Sequence, residues 1–188
     1  MSDILRYSFI LFIAIANPAL PETVWPESFG LGRPVAADEI AAWDIDVRPD
    51  GHGLPLGAGS VAQGAQTFTE KCAFCHGESG VEGPFDVLVG RLPNDSFPFG
   101  RIPGTVKTIG NYWPYATTVF DYINRAMPFN APGSLTADEV YALVAYLLHR
   151  NDIVPADTIL SAENLSSIIM PSRARFVPDD RHGGAEVR

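Results

Sequence analysis

"KCAFCHGESG", residues 71–80, holds the only two cysteines of a 188-residue chain, Cys72 and Cys75, and His76 follows the second at once. Three chemistries compete for this spacing. A structural zinc site needs four ligands, usually from two such knuckles, and the sequence offers no second Cys/His cluster. A thioredoxin-like redox pair wants a preceding strand and a βαβ context, whereas residues 60–72 read as a helix and no βαβ pattern follows. The third chemistry fits. In C-x-x-C-H two thiols add to the vinyl groups of a haem and the adjacent imidazole reaches the iron from the same turn, so one motif implies one covalently attached haem c.

A haem iron with one histidine is either open on its far side, for binding or catalysis, or closed by a second side chain, for electron transfer. "RAMPFN", residues 125–130, offers Met127 as the closing ligand. The segment "WPYATTVFDYINRAM", residues 113–127, places Val119, Phe120, Ile123 and Met127 at helical steps, with Pro114 at a first helical position. Pro128 disfavours helical backbone at Met127 and has no N–H to give, so the helix should end there and hold the thioether at a fixed exit. Met170, also followed by proline, ranks second as the sixth ligand. His149 suits the negative end of the last helix as a satisfied surface residue, and His52 and His182 lie in glycine-rich contexts.

The chain is 46% hydrophobic with 17 Gly and 16 Pro, which implies one helical core with long irregular stretches rather than a pure bundle. Its first 22 residues, "MSDILRYSFILFIAIANPALPE", follow the grammar of a secretory signal peptide over residues 1–16, with an apolar run too short to span a bilayer. Cutting after Ala16 removes one Asp and one Arg, so the formal charge stays at −9. An acidic surface repels nucleic acid and anionic membranes and favours partners with basic docking patches. No stable membrane insertion is expected after cleavage.

Ser60 is placed to cap a helix carrying Val61, Gly64, Ala65, Phe68 and Cys72. "TADEVYALVAYLLHRND", residues 136–152, opens with Thr136 and Glu139 in capping-box spacing and sets Val140, Leu143, Val144, Leu147 and Leu148 on one side. A Gly64/Phe68 face crossing a Leu143/Tyr146 face would form a small core beside the haem. With that order of elements, residues 60–150 resemble a class I cytochrome c. The resemblance implies an all-α haem-binding domain with irregular extensions, the 17–59 arm before it and the 151–188 tail after it. It further implies that a proline carbonyl, here Pro84 in "VEGPFDVLVG", accepts the Nδ1 proton of His76. It also implies that Arg91, Tyr112 and Trp113 lie in the haem environment near the propionates.

The likeness extends to the flanks. "AAWDIDVRPDGHGLPLGAGS" (41–60), residues 111–155 and the later Met-Pro-Ser-Arg (170–173) are similar to the cytochrome subunits of bacterial sulfite and sulfane dehydrogenases. That resemblance implies a periplasmic electron carrier that is not itself the catalyst. Its donor would be a molybdenum-containing catalytic subunit oxidising sulfur compounds, and its acceptor another cytochrome or an oxidase. The sulfane dehydrogenase cytochromes carry a second haem domain, whereas this chain has one haem motif. A free cytochrome shuttle, or a haem sensor or enzyme with an open iron site, are the rival readings. In the arm, Trp43 within "AADEIAAWDID" (36–46) either anchors a partner or is buried by a wrap on its own domain, the latter being the plainer reading. In the tail, Ile159, Leu160, Leu165, Ile168 and Ile169 are the expected core anchors, Arg173 and Arg175 face a partner, a propionate or solvent, and the end after Pro178 frays.

Overall fold

A computed structural model describes residues 29–93 and 96–177. The chain divides into two units at Ala36/Ala37; in the first, residues 29–36 form neither helix nor strand. In the second, six helices follow in order among the described residues: α1 (Ala37–Ala41), α2 (Val61–Lys71), α3 (Ala73–His76), α4 (Ile109–Tyr112), α5 (Ala116–Ala126) and α6 (Ala137–Arg150). Two three-residue strands, β1 (Ala58–Ser60) and β2 (Ile159–Ser161), pair antiparallel with Gly59 opposite Leu160. This ribbon is absent from the all-α expectation: three-residue strands about a hundred positions apart leave no periodicity to read.

Local chemistry fixes the helix starts. The Ser60 hydroxyl accepts from the Gln63 N–H and the Gln63 side chain accepts from the Ser60 N–H, closing a capping box on α2. Thr136 and Glu139 do the same for α6. Glu139 also meets Lys71 of α2 at 2.6 Å, and that ammonium together with the cap lowers its carboxyl from the ordinary range. One helix end is thereby tied to the other.

The α2–α6 crossing is closer than side chains would permit. An added Cβ on Gly64 would lie 1.9 Å from the Ala142 carbonyl oxygen, and one on Gly59 would lie 2.2 Å from the Ala142 nitrogen. Glycine is required at both for steric reasons. One turn along, the Phe68 and Tyr146 rings stack at 5.2 Å between centroids. The partner of Gly64 is therefore Ala142 and Tyr146, one position from the expected Leu143, which is buried elsewhere in the same core. Val119, Phe120 and Ile123 of α5 and Val140, Tyr141, Val144 and Leu148 of α6 complete that core.

The extensions are pinned at few points. Tyr141 donates to the Pro55 carbonyl, Thr117 to the Pro49 carbonyl, and the buried Asp121 carboxylate accepts the Val47 N–H at 2.8 Å while pairing with Arg125. Residues 47–49 thus lie along α5. In the tail, Leu160, Leu165 and Met170 are buried, whereas Ile159 and Ile169, expected as anchors, are exposed. The tail has no helical or strand period beyond β2 to signal which face turns inward. Residues 1–16, His182 and the tail beyond Pro178 lie outside the described residues.

Candidate haem site

Cys72 ends α2 and begins the single turn of α3. Its N–H donates to the Phe68 carbonyl at 2.9 Å, and its own carbonyl accepts from Cys75 and His76 at 3.1 and 3.0 Å. One turn therefore carries both thiols and the imidazole, and Gly77 leaves it at φ +82°, a left-handed position that suits glycine. The following loop folds back over the motif: Gly83 donates to the His76 carbonyl and Phe85 to the Cys75 carbonyl.

His76 Nδ1 lies 2.8 Å from the Asp86 carbonyl oxygen. A carbonyl can only accept, so Nδ1 carries the proton and Nε2 keeps its lone pair for a metal. The acceptor is Asp86, not Pro84; Pro84 is exposed two residues earlier in the same loop. A backbone carbonyl has no residue signature, so sequence alone points to the loop and misses the atom.

Glu82 organises that loop. Its carboxylate accepts from the Ser79 hydroxyl and from the Ser79 and Val81 N–H groups, which hold its pKa down to about 2 from 4.5. The folded value is depressed, so its contribution is complete above pH 4.5 and lost as pH falls through about 2. Amide protection at Ser79 and Val81, taken relative to the intrinsic exchange rate at each pH, should fall across that acid window in the wild-type protein, and Glu82→Gln should abolish the acid step. An exchange profile unchanged by the substitution contradicts this account of the loop.

Cys72 and Cys75 are half-buried and not joined as a disulfide. Burial pushes the Cys72 thiol up to about 11, with Lys71 pulling it back and Cys75 adding to the rise. Met127 caps α5 with extended backbone (φ −122°, ψ 148°), as the following proline requires, and its N–H donates to the Ile123 carbonyl at 3.1 Å. Its side chain is half-buried against the core. Pro114 precedes the cap residue Tyr115, so it stands just outside α5 and not at its first position.

Three other candidate ligands lie among the described residues. Met170 is 2% exposed within the core cluster, and His149 Nδ1 lies 3.1 Å from the Val154 carbonyl. His52 is exposed on the arm. The residues expected near the propionates also have protein partners. The single indole N–H of Trp113 donates to the Thr118 hydroxyl at 2.8 Å. Arg91 donates to the Asp152 carbonyl. The Tyr112 ring packs tilted against Phe99 and edge-on to Phe176, with the Lys107 ammonium over it.

Asn151, the cap of α6, joins these elements and was not singled out by sequence. Only 1% exposed, its Oδ1 accepts from Gly90 and Gly110 at 2.9 and 3.1 Å, and its Nδ2 donates to Leu88 and Leu147 at 3.2 and 2.8 Å. It ties α6 and α4 to the end of the loop that holds His76. An Asn after a basic helix end reads as an ordinary cap; the tertiary partners appear only in the fold.

The donor set fits a haem held by thioethers: two unpaired thiols and an imidazole with free Nε2 on one turn, and a thioether at a helix exit. Among the described residues no three or more His, Cys, Asp and Glu side chains converge to hold a metal ion by themselves. No helix among them is long and apolar enough to cross a membrane.

Residues 59–147 match the family model described as cytochrome c oxidase, cbb3-type, subunit III. No curated protein matches. Among solved structures, a chain of the sulfane dehydrogenase SoxCD from Paracoccus pantotrophus is 44% identical, with a TM-score of 0.70 over 82% of this chain and 74% of that one. Likeness of sequence and fold over so much of both chains goes well beyond a shared motif, and the chain belongs to the c-type cytochromes, in the family that this sulfane dehydrogenase chain represents.

Proposed function

We propose that the protein is a periplasmic single-electron carrier with one haem c, which Cys72 and Cys75 would hold covalently and whose iron His76 and Met127 would ligate. In this reading residues 60–150 form the haem domain, and the chain is the electron-accepting, non-catalytic subunit of a molybdenum-containing sulfite or sulfane dehydrogenase. The observation that carries it is the α3 turn, with both thiols unpaired and His76 Nδ1 held by Asp86 so that Nε2 is the nitrogen left to bind.

The bound haem iron would supply a one-electron Fe(III)/Fe(II) couple. The chain's own residues do the rest. The Asp86 carbonyl fixes the imidazole and raises its basicity, and Pro128 ends α5 so that Met127 leaves it at a set place. Thioether ligation from Met127 would favour the reduced iron.

Isolation of the native protein tests this reading. The expected result is one haem per chain, attached at Cys72 and Cys75 by peptide mass, and co-purification with a molybdenum subunit that reduces the haem on addition of a reduced sulfur compound. A lone small species that accepts no electrons from such an enzyme would instead identify a free shuttle.

A further inference from the structure

The arm carries an apolar anchor that its own domain does not cover. Trp43 is 87% exposed, with Ile40 at 50% and Ile45 at 46% beside it, which overturns the expectation that the arm wraps to bury Trp43. The anchor is nonetheless held in place. Trp43 and Asp44 donate to the Ile40 carbonyl at the end of α1, and Val47, only 4% exposed, fastens the chain to Asp121 of α5. Asp38, Asp44 and Asp46, in the same segment of the chain, are exposed.

A large exposed indole on a pinned backbone, in a segment with exposed carboxylates, has the composition of an interface anchor with a polar rim. The comparisons separate the arm from the haem domain. The family model begins at residue 59, whereas the likeness to the SoxCD chain covers 82% of this chain. Residues 60–188 number 129 of 188, about 69%, so that likeness must extend into residues before 60. The arm is shared with a protein of a sulfur-compound dehydrogenase and lies outside the general domain.

We infer that Trp43, flanked by Ile40 and Ile45, is the docking anchor of this cytochrome for its catalytic subunit, and inserts into an apolar pocket rimmed by basic side chains. This rests on the proposed subunit role. Attachment through the arm, on α5 and away from the Cys–His turn in sequence, would hold the partner by residues that take no part in binding iron.

The test uses the full-length haem-loaded protein and the molybdenum subunit purified from the native periplasm, identified by its metal and its sulfur-compound:ferricyanide activity. Trp43→Ala should weaken binding by about 30-fold or more, the scale of an interface hot spot. Trp43→Phe should recover part of the loss. Asp38→Asn with Asp44→Asn should flatten the salt dependence of association. All these variants should keep the wild-type visible spectrum and reduction potential. Unchanged affinity for Trp43→Ala overturns the docking assignment while leaving the subunit reading intact. Failure of the wild-type protein to bind any molybdenum subunit overturns both. Conversion of a wild-type homodimer to monomer by Trp43→Ala would assign the patch to a second copy and overturn the proposal.

Discussion

Gly64→Ala should destabilise the haem-loaded protein by about 3 kcal/mol or more, at or beyond the upper end of the overpacking range. The added methyl would stand 1.9 Å from the Ala142 carbonyl oxygen and 2.7 Å from the Tyr146 Cβ. The nearest obstacle is helix backbone, which no rotamer change can move. Relief requires α2 and α6 to separate, and that breaks the Phe68–Tyr146 stack and the Lys71–Glu139 pair. It also shifts Cys72, whose N–H is bonded to the Phe68 carbonyl. Denaturant titration should show a lowered midpoint. A midpoint within error of wild type would show that the crossing is looser than described.

Asn151→Leu is the second large effect. Leucine keeps the branching at Cγ but is larger and removes every polar contact of the side chain, leaving the Gly90 and Gly110 N–H groups without their acceptor. The buried Gly110 donor and the half-buried Gly90 donor, at about 1–3 kcal/mol each, imply a loss of about 2–6 kcal/mol. The location of the damage is as informative as its size. Amide exchange should accelerate at Gly90 and Gly110 and in the loop toward Asp86, whose carbonyl orients His76. Exchange at the far end of α2, near the Ser60 cap, should change only with global stability. Selective protection that survives the substitution would show that Thr108, which donates to the Gly90 carbonyl, suffices to hold the loop.

How far the site could be read in advance depends on the kind of information each part carries. The tight α3 turn is legible in the Cys72–Cys75–His76 spacing, and the end of α5 at Met127 because Pro128 dictates the backbone there. The α2–α6 core is legible in the apolar steps and the two capping boxes. Asp86 is not, because the group that matters is a carbonyl common to every residue. The Thr118 partner of Trp113 is likewise not legible, because that pairing depends on where α5 begins. Asn151 and the β1–β2 ribbon are tertiary events, each made of short segments that carry no period. Trp43 is different again. Burial is the default for an indole, and its exposure follows from where the arm is pinned, at Val47 and Pro49, a few residues further along.

The central claim is that the chain closes its own iron, with His76 on one side and Met127 on the other. The most direct measurement is the far-red absorption of the oxidised haem-loaded protein, where methionine–iron(III) ligation gives a weak charge-transfer band. Wild type and Met170→Ala should both show the band, whereas Met127→Ala should lack it. The potential of Met127→Ala should also fall, by a measurable part of the roughly 0.8 V range that axial ligands span. Loss of the band in Met170→Ala with its retention in Met127→Ala would move the ligand to the tail. A high-spin wild type without the band would contradict the account altogether.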